Sequence, residues 1–119
     1  MTIQEQYENL EKTVRGYNPA ADFQHIRAAF EFAAEAHKDQ KRKSGEPYII
    51  HPLAVAQIVA EELRLDSESI EAALLHDVIE DTAATHEQVS KLFSPTIADL
   101  VEGVSKLTRI QYATKEDEQ

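Results

Sequence analysis

The stretch SIEAALLHDVIEDT, Ser69 to Thr82, is an apolar helix pattern that ends in four ionisable side chains: His76, Asp77, Glu80 and Asp81. It is apolar on several sides, which places the helix centrally in the protein. Burying a charge without a partner costs several kcal/mol, so an interior helix should not carry these groups for nothing. His76 and Glu80 lie four residues apart and share a face, as do Asp77 and Asp81. The adjacent His76 and Asp77 point about 100° apart on a helix, yet both can reach a cation placed beside it. Imidazole nitrogen with carboxylate oxygen suits a divalent ion such as manganese, iron or zinc. Glu80 and Asp81 then remain to hold a water on that ion and take its proton. The plainer alternative is a polar helix end paired with Lys or Arg, and an isolated His-Asp pair would call for nothing more.

Two features upstream favour the chemical reading. His51 stands just before Pro52 at a helix start, after the apolar Tyr48-Ile49-Ile50, and offers a third ligand from a neighbouring helix. Lys38, Lys41, Arg42 and Lys43 concentrate positive charge in a loop beside Ser44 and Gly45 on an otherwise acidic protein. Phosphate groups favour such a loop, although a solvated loop accounts for it equally well when taken alone.

Around these segments the periodicity is helical, with no alternating run of β-branched residues. A first helix is expected over about Gln4 to Arg15, and Asn18-Pro19 reads as an N-cap with proline at the first position of a second. That helix runs to about Lys38 with Phe23, Ile26, Phe30 and Ala33 or Ala34 inward. The loop KDQKRKSGEPYIIHP, with breakers Gly45 and Pro47, leads to a helix from Pro52 that buries Leu53, Ala56, Val59, Ala60 and Leu63. Leu65-Asp66-Ser67 is a turn and cap before the central helix. Thr85 and Gln88 form a capping box for a short helix to Phe93. Ser94-Pro95 opens a last helix with Ile97, Leu100, Val101, Val104 and Leu107 inward. The sum is an all-α bundle of about six helices.

The 119 residues suffice for one compact domain and not for two. Asp and Glu number 22 against 12 Lys and Arg, a net charge of -10 that argues against general nucleic-acid binding. A small anionic ligand in a locally basic pocket remains compatible. Cysteine is absent, so neither disulfides nor thiolate metal sites are available. No apolar signal core or membrane-length segment occurs, and the expectation is a cytoplasmic protein without a membrane partner.

RKSGEPYIIHP (Arg42 to Pro52) followed by AALLHDVIEDT (Ala72 to Thr82) resembles the N-terminal HD-type hydrolase domain of the RelA/SpoT family. VAQIVAEELRLD and LVEGVSKLTRI are similar to that family too, so the likeness spans roughly Phe30 to Ile110. The resemblance implies an HD-domain helical bundle that removes pyrophosphate from the ribose 3′ position of guanosine tetra- and pentaphosphate, using manganese(II). It implies His51, His76 and Asp77 as metal ligands, and Glu80 and Asp81 as the residues that position and deprotonate the attacking water. Arg42 would stack on guanine, with Lys43 and Ser44 helping to hold the nucleotide. The family's later Asp-Arg-Leu-His-Asn type segment, which supplies a further ligand, has no counterpart after Leu107, so the domain reads as partial and as a piece of a longer protein.

Two other readings stand beside this one: an HD phosphohydrolase of another nucleotide, and a non-catalytic metal- or nucleotide-binding module. His25 and His86 read as surface residues; His37 could face the site but reads first as a structural helix-end histidine, and Tyr48 either lines the pocket or packs, with packing slightly favoured. A partial bundle should leave apolar surface for a homodimer to cover.

Overall fold

The computed structural model describes residues 2–41, 44–82 and 84–103, with the side chains of Glu80 and Asp81 outside that description. Helix α1 (Ile3–Tyr17) begins at a capping box between Thr2 and Glu5, and buries Tyr7, Leu10 and Val14. The chain turns over residues 18–21, and α2 (Phe23–Ala36) starts with Asp22 as its N-cap, bonded to the His25 backbone amide. The expected cap at Asn18-Pro19 is therefore displaced by four residues. Asn18 instead closes α1, its amide bonded to the Val14 carbonyl, while the Asp22 amide is anchored by the Ser67 hydroxyl at 3.0 Å.

Beyond the loop, α3 (Ile50–Ile58) runs without a break into a π-helical turn, Val59–Leu63, which ends at Arg64 in the left-handed region with φ 49. Pro52 sits in the first turn of α3, where its missing amide costs nothing. Leu53, Ala56 and Ala60 are buried as the pattern predicts, but Leu63 is 62% exposed. A π-turn holds an extra residue and rotates the residues after it off the preceding stripe. Asp66 then caps α4 (Ser67–Leu75), bonded to the Ser69 amide, and the Tyr17 hydroxyl ties α1 to the Leu65 carbonyl at 2.7 Å.

Helix α4 is the centre of the bundle, packed against α2, α3 and the π-turn. Ile70, Leu74 and Leu75 are fully enclosed, and Tyr7 of α1 stacks on Phe30 of α2 at 4.4 Å. The single helix expected over Ser69–Thr82 is in fact two, α4 and the short α5 (Val78–Asp81), separated by a turn at His76-Asp77. α6 (His86–Leu92) has the Thr85–Gln88 capping box. Helical backbone resumes at 95 behind the Ser94 cap, which receives the Ile97 amide at 3.0 Å. Ile97 and Val101 point inward as expected, Leu100 is 41% exposed, and Val104 and Leu107 lie outside the described residues. The fold is an all-α bundle, and an isolated bridge between Lys41 and Pro47 is the β-type pairing among the described residues. No helix among them is long and apolar enough to cross a membrane.

Candidate metal centre

The break between α4 and α5 brings the adjacent His76 and Asp77 together. On a continuous helix their side chains would diverge by about 100°. Asp77 takes φ -98 and ψ -4, in the sparsely used bridge region. This turn lets the Asp77 carboxylate fold back, so that its Oδ2 lies 3.1 Å from His76 Nε2. The first turn of α3 delivers His51 to the same point, with Nε2 at 3.5 Å from that oxygen. The His51 and His76 rings are 5.4 Å apart.

These three side chains offer ligand atoms mutually within 4.8 Å. A cation with bonds near 2.1 Å places neighbouring ligands about 3 Å apart, so the donor set fits a divalent ion. The His76 Nδ1 supports this fit, because it donates to the Ala73 carbonyl at 2.6 Å. That bond leaves the Nε2 lone pair of a neutral imidazole directed at a carboxylate oxygen. Two such electron pairs repel unless a proton or a metal ion lies between them.

Tyr48 completes the arrangement: its hydroxyl donates to Asp77 Oδ2 at 2.8 Å. Its ring lies 4.7 Å from that of His37, a buried histidine whose Nδ1 is held by Gln40 at 2.7 Å. Tyr48 thus does more than pack. Burial pushes the Asp77 carboxyl up, but the bond and charge of His76, the Tyr48 hydroxyl and the charge of His51 together outweigh it and hold the group below its ordinary value.

Ser44 is exposed beside Gly45, whose φ of 90 makes the loop turn. Arg42 and Lys43 lie outside the described residues, as do the side chains of Glu80 and Asp81, whose backbone comes in α5 directly after the His76-Asp77 turn. Lys38, from the same basic stretch, is paired with Glu35 at 2.7 Å. A second compact donor set, His86, Asp99 and Glu102, lies in the open, with Asp99 73% exposed. Its 3.0 Å contact between His86 Nε2 and Asp99 Oδ1 is a surface hydrogen bond joining α6 to the next helical stretch.

A profile of the HD domain matches residues 29–119. The bifunctional (p)ppGpp synthase/hydrolase SpoT of Escherichia coli K12 is 48% identical over 113 residues, covering 95% of this chain and 16% of that protein. The guanosine-3′,5′-bis(diphosphate) 3′-pyrophosphohydrolase of Aquifex aeolicus is 50% identical over 93% of the chain and 16% of its own length. The chain thus spans about one sixth of these relatives. Among solved structures, a metazoan ortholog of SpoT that hydrolyses ppGpp superposes with TM-score 0.63 and 38% identity, over 66% of this chain and 46% of that one. With the matched profile extending over most of its length and the paired histidines and aspartate at its centre, the chain belongs to the HD-domain family, beside the SpoT-like proteins.

Proposed function

We propose that this chain is a single, partial HD-type hydrolase domain of a longer protein, and that it cleaves pyrophosphate from the ribose 3′ position of guanosine tetra- and pentaphosphate. The observation that carries the reading is the convergence of His51, His76 and Asp77 on one point. The activities for which relatives near half identical are named supply the substrate class. In this reading the three side chains hold a divalent ion, manganese(II) by the family likeness. Held by these residues, such an ion would supply Lewis acidity toward a water and the phosphate.

The remaining roles fall to the chain's own groups. Tyr48 fixes the orientation of the Asp77 carboxylate, and Ala73 fixes that of the His76 ring. Glu80 and Asp81 orient the attacking water and take its proton, a task for carboxylates one turn beyond the ligands. Water attacks the phosphorus bonded to the 3′ oxygen, that P–O bond breaks, and the departing oxygen is protonated, giving the 3′ hydroxyl and pyrophosphate. Arg42 stacks on guanine, and Lys43 and Ser44 bind the phosphates from the loop. Self-association belongs to the same reading, because Ile58 and Leu63 stand 58% and 62% exposed; sedimentation equilibrium showing a dimer would support it, and a monomer at all concentrations would remove it.

The test is incubation of the protein with manganese(II) and guanosine tetraphosphate, with guanosine diphosphate followed by ion-exchange chromatography. Turnover absent from His76→Ala is the expected result. Cleavage of other nucleotides in a substrate panel, with guanosine tetraphosphate untouched, would move the protein to another substrate. Absence of turnover on every substrate, with metal bound, would make it a binding module.

A further inference from the structure

Helix α4 carries a second buried ionisable group that the metal centre does not use. Glu71 is 1% exposed, and its Oε1 has no hydrogen-bond partner among the described residues. It lies five residues before His76, about 140° around the helix, and so belongs to a different face. That face looks into a cavity of about 390 Å³ lined by Glu71, Glu68, Asp22 and His25, with Phe93 and Ile97 among its other walls. Ser67, Ser94 and Thr96 also line it. The His25 imidazole stands beside Glu71, with Nδ1 3.7 Å from Glu71 Oε1 and 3.5 Å from Asp22 Oδ2. Both separations are too long for a hydrogen bond.

We infer that this cavity is a binding site for an organic cation, a primary ammonium or guanidinium carried on an apolar stem. The enclosed Glu71 carboxylate receives the charged head, Asp22 and Glu68 add negative potential, and Phe93 and Ile97 cover the stem. A bare metal ion fits less well: the compact donor sets among the described residues are His51-His76-Asp77 and His86-Asp99-Glu102, and Asp22-His25-Glu71 is not one of them. The volume is also several times that of a single water. Burial, and then the charges of Asp22, Glu68 and Asp66, push the Glu71 carboxyl up to about 7. A carboxylate held against burial and like charge in this way gains most from a cation that replaces the lost solvent.

The ligand chemistry has two sources, a free amine or the Arg or Lys side chain of a polypeptide, and the test separates them. Agmatine and putrescine form one arm, and short peptides containing acetylated, amidated Arg or Lys form the other. Each is titrated into the uniformly labelled protein at pH 8, with amide and side-chain carboxyl resonances followed by NMR. The expected result is saturable one-to-one binding in one arm, with shifts at Asp22, His25, Glu71 and Ile97 and none at His51. The tighter arm identifies the source. Glu71→Gln should weaken binding at least about tenfold, and Asp22→Asn, which keeps the helix cap, should weaken it several-fold. Wild-type affinity should also fall between pH 8 and pH 5.5, as Glu71 gains a proton. No saturation by about 10 mM in either arm, undiminished binding by Glu71→Gln, or equal shifts at Glu71 from magnesium or manganese(II) alone would overturn the inference.

Discussion

Replacing Glu71 by Gln should make the protein more stable, and only above a definite pH. The carboxylate is enclosed in α4 with one oxygen unpartnered, and its pKa is raised from 4.5 to about 7. The folded protein therefore keeps the proton to a higher pH than the unfolded chain does. Below about pH 4.5 both states hold it, and the group costs nothing. Between 4.5 and 7 the unfolded chain releases it first, so stability falls as pH rises, and above 7 the whole penalty is present. At 1.36 kcal/mol per pKa unit, a shift from 4.5 to about 7 amounts to about 3 kcal/mol. The side chain is 2% exposed, so solvent screening removes little of this. Glutamine has the same shape and does not titrate in this range. Urea unfolding followed by circular dichroism at pH 4, 6 and 8 should give equal midpoints for the two proteins at pH 4. By pH 8 the variant should lead by about 3 kcal/mol. Parallel profiles, or a wild-type advantage at pH 8, would refute the burial argument. The same substitution is expected to weaken cation binding, so stability here is traded against a site.

Two further outcomes depend on single residues. Tyr48→Phe removes the 2.8 Å bond to Asp77, and should weaken manganese(II) affinity about 10- to 100-fold while costing only about 1 kcal/mol of stability, read by metal titration and urea unfolding. Arg64 closes the π-turn with φ 49. Arg64→Gly should raise stability by up to about 1 kcal/mol, since glycine takes that conformation without the Cβ conflict; a lower unfolding midpoint would contradict it.

The bundle was legible because each helix carries its own stripe, and because the caps at Asp66, Thr85 and Ser94 are side-chain chemistry written at fixed spacings. The His76-Asp77 pair stood out as charge at the end of an apolar helix. The break between them left no mark, since Ala, Leu, Val and Ile continue through it without glycine or proline. That break is a tertiary feature which closes the site. The π-turn was hidden for the same reason and turned Leu63 outward. Asn18-Pro19 misled because a strong local signal gave way to Asp22, which is anchored from α4 by Ser67. Tyr48 sits in an apolar run, and a phenol there reads as packing until its hydroxyl is seen to meet Asp77. Glu71 did leave a signal: Leu74 and Leu75, three and four residues on, are both buried, so a carboxylate at the head of that stripe needed a reason.

Whether His51, His76 and Asp77 form one divalent-metal centre is tested most directly by electron paramagnetic resonance of manganese(II) in solution. Titrating the protein into manganese(II) should deplete the signal of the free ion with a one-to-one endpoint. His51→Ala and His76→Ala, each checked for native circular dichroism, should leave that signal undiminished. Equal depletion by the wild type and both folded variants would place manganese elsewhere and contradict a centre at these three residues.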